Sequence, residues 1–182
     1  KVVNIYYYVF LLLTLVYSTD YNYSLIDLNP NSATYGATIS PEYFEDQVTL
    51  HYFGHQYWTT CTARVGQLDA LYQDIVQQGI NNVQIIAIGK GQFSNDNSNW
   101  TNGNTIPVVN DPLPNDVWIN WDANQWDLFF LDSNTDYITD FNINPWNYDA
   151  VYDQIIDLIQ TMSIPFHAEY PSLLNAYPNP FN

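Results

Sequence analysis

Three consecutive stretches constrain this chain more than anything else in it. VTLHYFG (48–54) is a β-branched and aromatic run closed by glycine, the pattern of a strand buried on both faces. From Thr59 to Gly79 the apolar spacing turns helical. Val65, Leu68, Leu71, Tyr72, Ile75 and Val76 recur at three and four, and Gly79 stands where a C-terminal cap belongs. VQIIAIG (83–89) is a second buried strand. Strand, helix and strand in succession demand a parallel pair joined by a right-handed crossover.

The flanking segments extend this unit. Upstream, residues 24–47 are turn-rich: an entry strand leads to a loop, then Ser40-Pro41-Glu42 opens a short helix with Pro at its first position. Downstream, KGQFSNDNSNWTNGNT (90–105) predicts a flexible polar insert, and IPVVND (106–111) a short extended piece. DLFFLD (127–132) and YITDFNI (137–143), separated by Ser133-Asn134-Thr135-Asp136, predict a hairpin. DSNTD (132–136) begins like a calcium loop, but Tyr137 stands where Gly belongs and Ile143 where the bidentate Glu belongs, so a turn explains it better. A last helix is expected from Pro145 to Met162. Trp146, Val151, Ile155, Leu158, Ile159 and Met162 form its buried stripe, and Asp149, Asp153 and Asp157 its wet face. The order βαβ then ββα is that of an α/β domain with a central mixed sheet flanked by helices.

Charge excludes whole classes of partner. Lys+Arg total 3 against Asp+Glu 19, a formal net charge of −16. Such a surface repels phosphate backbones and anionic membranes, which argues against nucleic acid. The N-terminus reads as an export leader, residues 1–18. Lys1 is its charged start, IYYYVFLLLTLV (5–16) is an apolar run too short for a comfortable membrane span, and Ser18 is a small residue at the cleavage position. The expected location is therefore extracytoplasmic, secreted or on an outer cell surface, with no membrane span once the leader is removed. An exported chain with Cys 1 forms no internal disulfide, so its thiol is free or paired between molecules.

That cysteine, Cys61, falls in the first turn of the helix after the first central strand. Unpaired backbone N–H groups, the helix dipole and Arg64 three residues on would each favour a thiolate there. The competing account is a buried structural cysteine, with Arg64 paired instead to an acid such as Asp69 or Asp74. A Cys–His dyad or soft-metal site at His55 and Cys61 is conceivable, but a closed zinc site needs four ligands, and the chain has one Cys and three scattered His. No Gly-rich phosphate loop or nucleophile-elbow serine is present, and neither cofactor nor metal is expected.

WTTC (58–61), placed after a strand and opening a helix, resembles the redox motif of the thioredoxin superfamily. The nearest likeness is to the N-terminal domain of selenoprotein P and its redoxin-like bacterial relatives. It runs from about Ser24 to Ile159, through NPNSATYG, ISPEYF, VTLHYFG, WTTC, LDALYQDI, IPVV, DVW and DLFFLD. The resemblance implies a thioredoxin-like fold over residues 24–162 and a site at Trp58, Cys61 and Arg64. It also exposes two departures. In the family a selenocysteine or cysteine attacks first and a second cysteine three residues on resolves the mixed disulfide. Here Trp58 stands at the attacking position and only the resolving position survives, as Cys61. Where many thioredoxins have proline before the next central strand, this chain has Trp126. Dithiol–disulfide cycling within one chain is therefore impossible.

AYPNPFN (176–182) resembles the opening of the C-terminal sorting domain of the type IX secretion system, so residues 163–182 are expected to be a linker and the start of that domain. Two functions follow from these expectations. One is an exported redoxin-like protein of bacterial type whose single thiol reduces a small oxidant or forms mixed disulfides with a protein thiol. The other is a redox-inactive thioredoxin-fold module that binds a ligand or protein on aromatic surface near Trp58 and Trp126.

Overall fold

Two short strands, Leu25–Ile26 (β1) and Thr38–Ile39 (β2), pair antiparallel at the start of the computed structural model, which describes residues 21–163. A 3-10 turn at Pro41–Phe44 follows, and its N-cap Ser40 accepts a hydrogen bond from the Tyr43 N–H, as the Ser-Pro-Glu signal predicts. Then come Val48–Phe53 (β3), Thr59–Gln77 (α1) and Val83–Lys90 (β4). The remaining elements are Ser98–Thr101 (α2), Val108–Asp111 (β5), Asp116–Asn120 (α3), Asp127–Leu131 (β6), Tyr137–Asn142 (β7) and Tyr148–Ser163 (α4). The leader expected at residues 1–18 and the tail beyond Ser163 lie outside the described residues, as does the side chain of Met162.

The central sheet has the order β5-β4-β3-β6-β7. β3 runs parallel to β4, and β4 to β5, while β6 is antiparallel to both β3 and β7. All six residues of β3 are buried because both faces of the sheet are covered. Val48, Leu50 and Tyr52 face a core with Val65, Leu68, Leu71 and Ile75 of α1 and Val151, Ile155 and Leu158 of α4. Phe53 faces a second core with Ile39, Phe44, Ile86, Ile88, Trp118, Trp121 and Phe129. Truncating a fully buried leucine such as Leu71 to Ala costs about 2–5 kcal/mol.

α1 ends as its sequence dictates. Gly79 takes φ +84, and its N–H reaches the Val76 carbonyl while the Ile80 N–H reaches Ile75. Asp27 seals the β5 side of the sheet: its buried carboxylate accepts from the N–H groups of Asn29 and Val108 and from the Thr34 hydroxyl.

Three details depart from the expectation. The polar segment 90–105 is an ordered part of the fold: a 3-10 stretch at Gly91–Asp96 leads into α2, and Trp100 packs fully buried against Tyr52. Its asparagines turn inward to main-chain groups, Asn99 to the Gln56 carbonyl and Asn104 to the Trp100 carbonyl. Residues 116–120, to which the sequence pattern assigns no element, form α3, too short for helical periodicity to register. The last helix begins at Tyr148, not Pro145.

Candidate functional site

Cys61 is the third residue of α1 and is fully buried. The Gln125 side-chain N–H donates to its Sγ at 3.1 Å. Tyr52, reaching across from β3, brings its hydroxyl close to the same sulfur. Burial first, and then this neighbour, raises the phenol well above its usual range. The hydroxyl nevertheless makes no hydrogen bond of good geometry.

Trp58 caps α1 with its backbone alone: the Thr62 N–H donates to its carbonyl at 3.0 Å, and no side chain caps the first turn. The Trp58 indole is 40% exposed and meets Trp126 edge-to-face at a centroid distance of 6.4 Å. Trp126 is held in a left-handed conformation at φ +72, costly for a bulky residue. Two backbone hydrogen bonds fix it there, from its N–H to the Phe53 carbonyl and from the Ile143 N–H to its own carbonyl. The two indoles, with Tyr57, Thr59, Thr60 and Asn144, line an open cleft of about 500 Å³. No charged residue is among those lining it.

Arg64 lies on α1 beyond this cleft. It donates from Nε to the Ile143 carbonyl (2.9 Å), and its two terminal nitrogens donate to the Gln67 and Asn144 amide oxygens (2.7 Å each). All three hydrogen bonds go to carbonyl and amide oxygens, none to Asp69, Asp74 or Cys61. Asp69 is occupied elsewhere, accepting from Thr105 and Ile106. The sequence therefore placed Trp58 and Cys61 correctly at the start of one helix, while Arg64's donors serve the segment leaving β7.

His55 packs against Trp58 edge-to-face, with ring centroids 6.2 Å apart, and is not among the residues that line the cleft. Its ring stacks on Tyr57 and Trp118 and meets Phe93 edge-on. Neither ring nitrogen has a hydrogen-bond partner, and burial, then the Lys90 charge, lowers its pKa. Lys90 itself sits 4.2 Å over the Trp118 ring, a cation–π contact. Among the described residues, no group of three or more His, Cys, Asp and Glu is placed to hold a metal ion. The DSNTD segment is a turn in which Asp132 accepts from the N–H groups of Asn134 and Asp136.

Sequence reasoning missed Tyr52, Gln125 and Tyr57. The signal available for Gln125 was its place beside Trp126, immediately before the strand that borders the site. Tyr52 was hidden in a run legible only as core.

No protein-family model matches the sequence, and no curated protein matches it significantly. Solved structures do resemble it. A secreted Mycobacterium tuberculosis disulfide oxidoreductase homologous to E. coli DsbE is 14% identical, with a TM-score of 0.55 over 76% of this chain and 97% of that one. The exposed lipoprotein thioredoxin Etrx1 of Streptococcus pneumoniae is 14% identical, with a TM-score of 0.58 over 75% and 99%. Yeast Sco1 is 11% identical, with a TM-score of 0.63 over 79% and 95%. At these identities the likeness is one of architecture, and it agrees with the strand order and helix placement above. The chain has the thioredoxin-like fold.

Proposed function

We propose that this protein is an extracytoplasmic thioredoxin-fold binding module whose ligand seats on Trp58 and Trp126 at the start of α1. The cleft between those two indoles carries the proposal. It occupies the end of the sheet where α1 begins and presents stacking surface, while the cysteine behind it is fully buried. A ligand here meets aromatic faces, two threonine hydroxyls and an amide, in the field of a chain with net charge −16. Aromatic faces and that field both attract a cation, so the preferred ligand is a cationic or neutral group that stacks, borne by a small molecule or a partner's side chain. The leader expected from the sequence and the secreted and exposed proteins of like fold support the location.

The test follows indole N–H resonances while the protein is titrated with benzyltrimethylammonium, benzyl alcohol or benzoate. The cation should perturb Trp58 and Trp126 most and the anion least, and Trp58→Ala should abolish the response. If no probe moves these two resonances, the cleft is not a ligand site.

A thiol role for Cys61 is the second reading, favoured by the Gln125 N–H at 3.1 Å from the sulfur. With Cys 1 in the chain, such chemistry stops at a one-cysteine reaction with a small oxidant or a partner's thiol.

A further inference from the structure

Two donors meet around the Cys61 sulfur, and a thiol has little use for both. Gln125 already donates to it at 3.1 Å. Tyr52 is fully buried and its hydroxyl lies beside the sulfur, but in no arrangement that makes a hydrogen bond of good geometry. A thiol sulfur is a weak acceptor, and a buried hydroxyl without a partner is destabilising. An oxygen atom on the sulfur would be a strong acceptor placed between the two donors.

We propose that Cys61 is oxidised by a hydroperoxide to a sulfenic acid, whose oxygen is held by the Tyr52 hydroxyl and the Gln125 amide. This rests on the thiol reading of Cys61 and is independent of the cleft's ligand. The step balances as thiol plus hydroperoxide giving sulfenic acid plus alcohol, or water when the oxidant is hydrogen peroxide. The S–O bond forms as the O–O bond breaks, sulfur loses two electrons to the peroxide, and the thiol proton is accounted for in the departing alcohol. No second cysteine exists to condense with the product, so the sulfenic acid persists until an external thiol attacks it. Burial makes the reaction slow and shields the product from a second oxidant. Tyr52 and Gln125 are positioning residues in this scheme: they act on the fate of the oxidised sulfur.

The full chain is treated with hydrogen peroxide, trapped with a dimedone-type reagent and analysed by mass spectrometry, with native alkylation by iodoacetamide in parallel. The expected result is a trapped adduct at Cys61, lost when a small monothiol is added before the trap. Tyr52→Phe and Gln125→Leu should each speed conversion to the sulfinic acid by about tenfold, the scale of one lost hydrogen bond. Gln125 is only half-buried, so its variant serves if Tyr52→Phe does not fold. Native alkylation without any trapped adduct would overturn the sulfenic acid and leave the thiol reading standing. No alkylation and no adduct until the protein is unfolded would overturn both. Unchanged sulfinic acid formation in both variants would remove the assigned roles of Tyr52 and Gln125.

Discussion

Arg64 donates from Nε to the carbonyl oxygen of Ile143 at 2.9 Å, fastening α1 to the residue that leaves β7. With the bond to Asn144 it crosses some eighty positions of sequence to hold the segment between the last strand and α4. Arg64→Ala should destabilise the fold by about 1–3 kcal/mol, since three hydrogen bonds are lost and a part-buried carbonyl loses a donor. Arg64→Lys should recover only part of this, because an ammonium cannot present the planar fork that reaches Ile143, Gln67 and Asn144 together. Urea unfolding of the three proteins measures it. An alanine variant as stable as the parent would mean that the bonds are exchanged freely for water.

His51 should make the protein acid-sensitive. It is fully buried, its ring nitrogens partnered by the Tyr23 hydroxyl (3.1 Å) and the Thr49 hydroxyl (2.9 Å), and burial lowers its pKa to about 3. The unfolded chain titrates near 6.5, so below that pH it binds a proton that the native state refuses. The stability is therefore complete above pH 6.5 and is lost progressively as pH falls toward 3, at up to about 1.4 kcal/mol per unit. His55 adds to the loss in the same direction. Asp111, raised chiefly by burial, opposes it nearer the carboxylate range. Unfolding free energy measured from pH 7.5 to 5 should fall in the parent and fall less steeply in His51→Gln. Equal slopes would show that His51 does not set the acid limb.

Much of this architecture was legible because its signals are periodic. β3, α1 and β4 announce themselves by buried runs and three–four spacing, and the β6–β7 hairpin by two apolar runs around a four-residue turn. What the sequence hid is local and polar. Residues 90–105 carry seven asparagine and glutamine or aspartate side chains' worth of apparent loop character, yet Trp100 anchors the segment in the core. The placement of Trp58 and Cys61 was legible, because both follow from one helix start. The partners of Arg64 were not legible, because two of its acceptors, Ile143 and Asn144, come from a strand end that only the folded chain brings near.

Trp58→Cys should rebuild what this helix start lacks. Positions 58 and 61 are the N-cap and third residue of α1, a separation at which two cysteines can bridge. The parent should fail to reduce insulin disulfides catalytically. The variant, under mild oxidant, should lose two mass units as an intramolecular disulfide forms, and a reductant should restore them. It should also lose the Trp58–Trp126 contact and with it any aromatic ligand response. A variant that yields only intermolecular dimers would show that residue 61 is inaccessible to its neighbour at the first turn.

Like charges on α4 supply the clearest electrostatic test. Asp149, Asp153 and Asp157 are exposed and follow one another at four-residue spacing, so each is the neighbour of the next on the helix surface. No basic residue lies in the last turn to offset them. The two cations among the described residues are engaged elsewhere, Arg64 on carbonyl and amide oxygens and Lys90 over Trp118. Asp153→Lys turns both repulsive pairs into attractive ones. Each reversal is worth roughly twice the 0.2–0.5 kcal/mol of a single helix pair, so the variant should gain about 1–2 kcal/mol at low salt. Raising ionic strength from about 0.01 M to 0.15 M shortens the screening length from roughly 30 Å to 8 Å. The parent, at net charge −16, should melt at a higher temperature in the added salt, and the advantage of Asp153→Lys should shrink as its attractions are screened and the parent's repulsions relieved. Thermal melts of both proteins across that range decide it. A parent melting temperature that is flat or falls with salt would mean that the acids are dispersed too widely to repel, and that the gain at position 153, if any, is one of helix propensity alone.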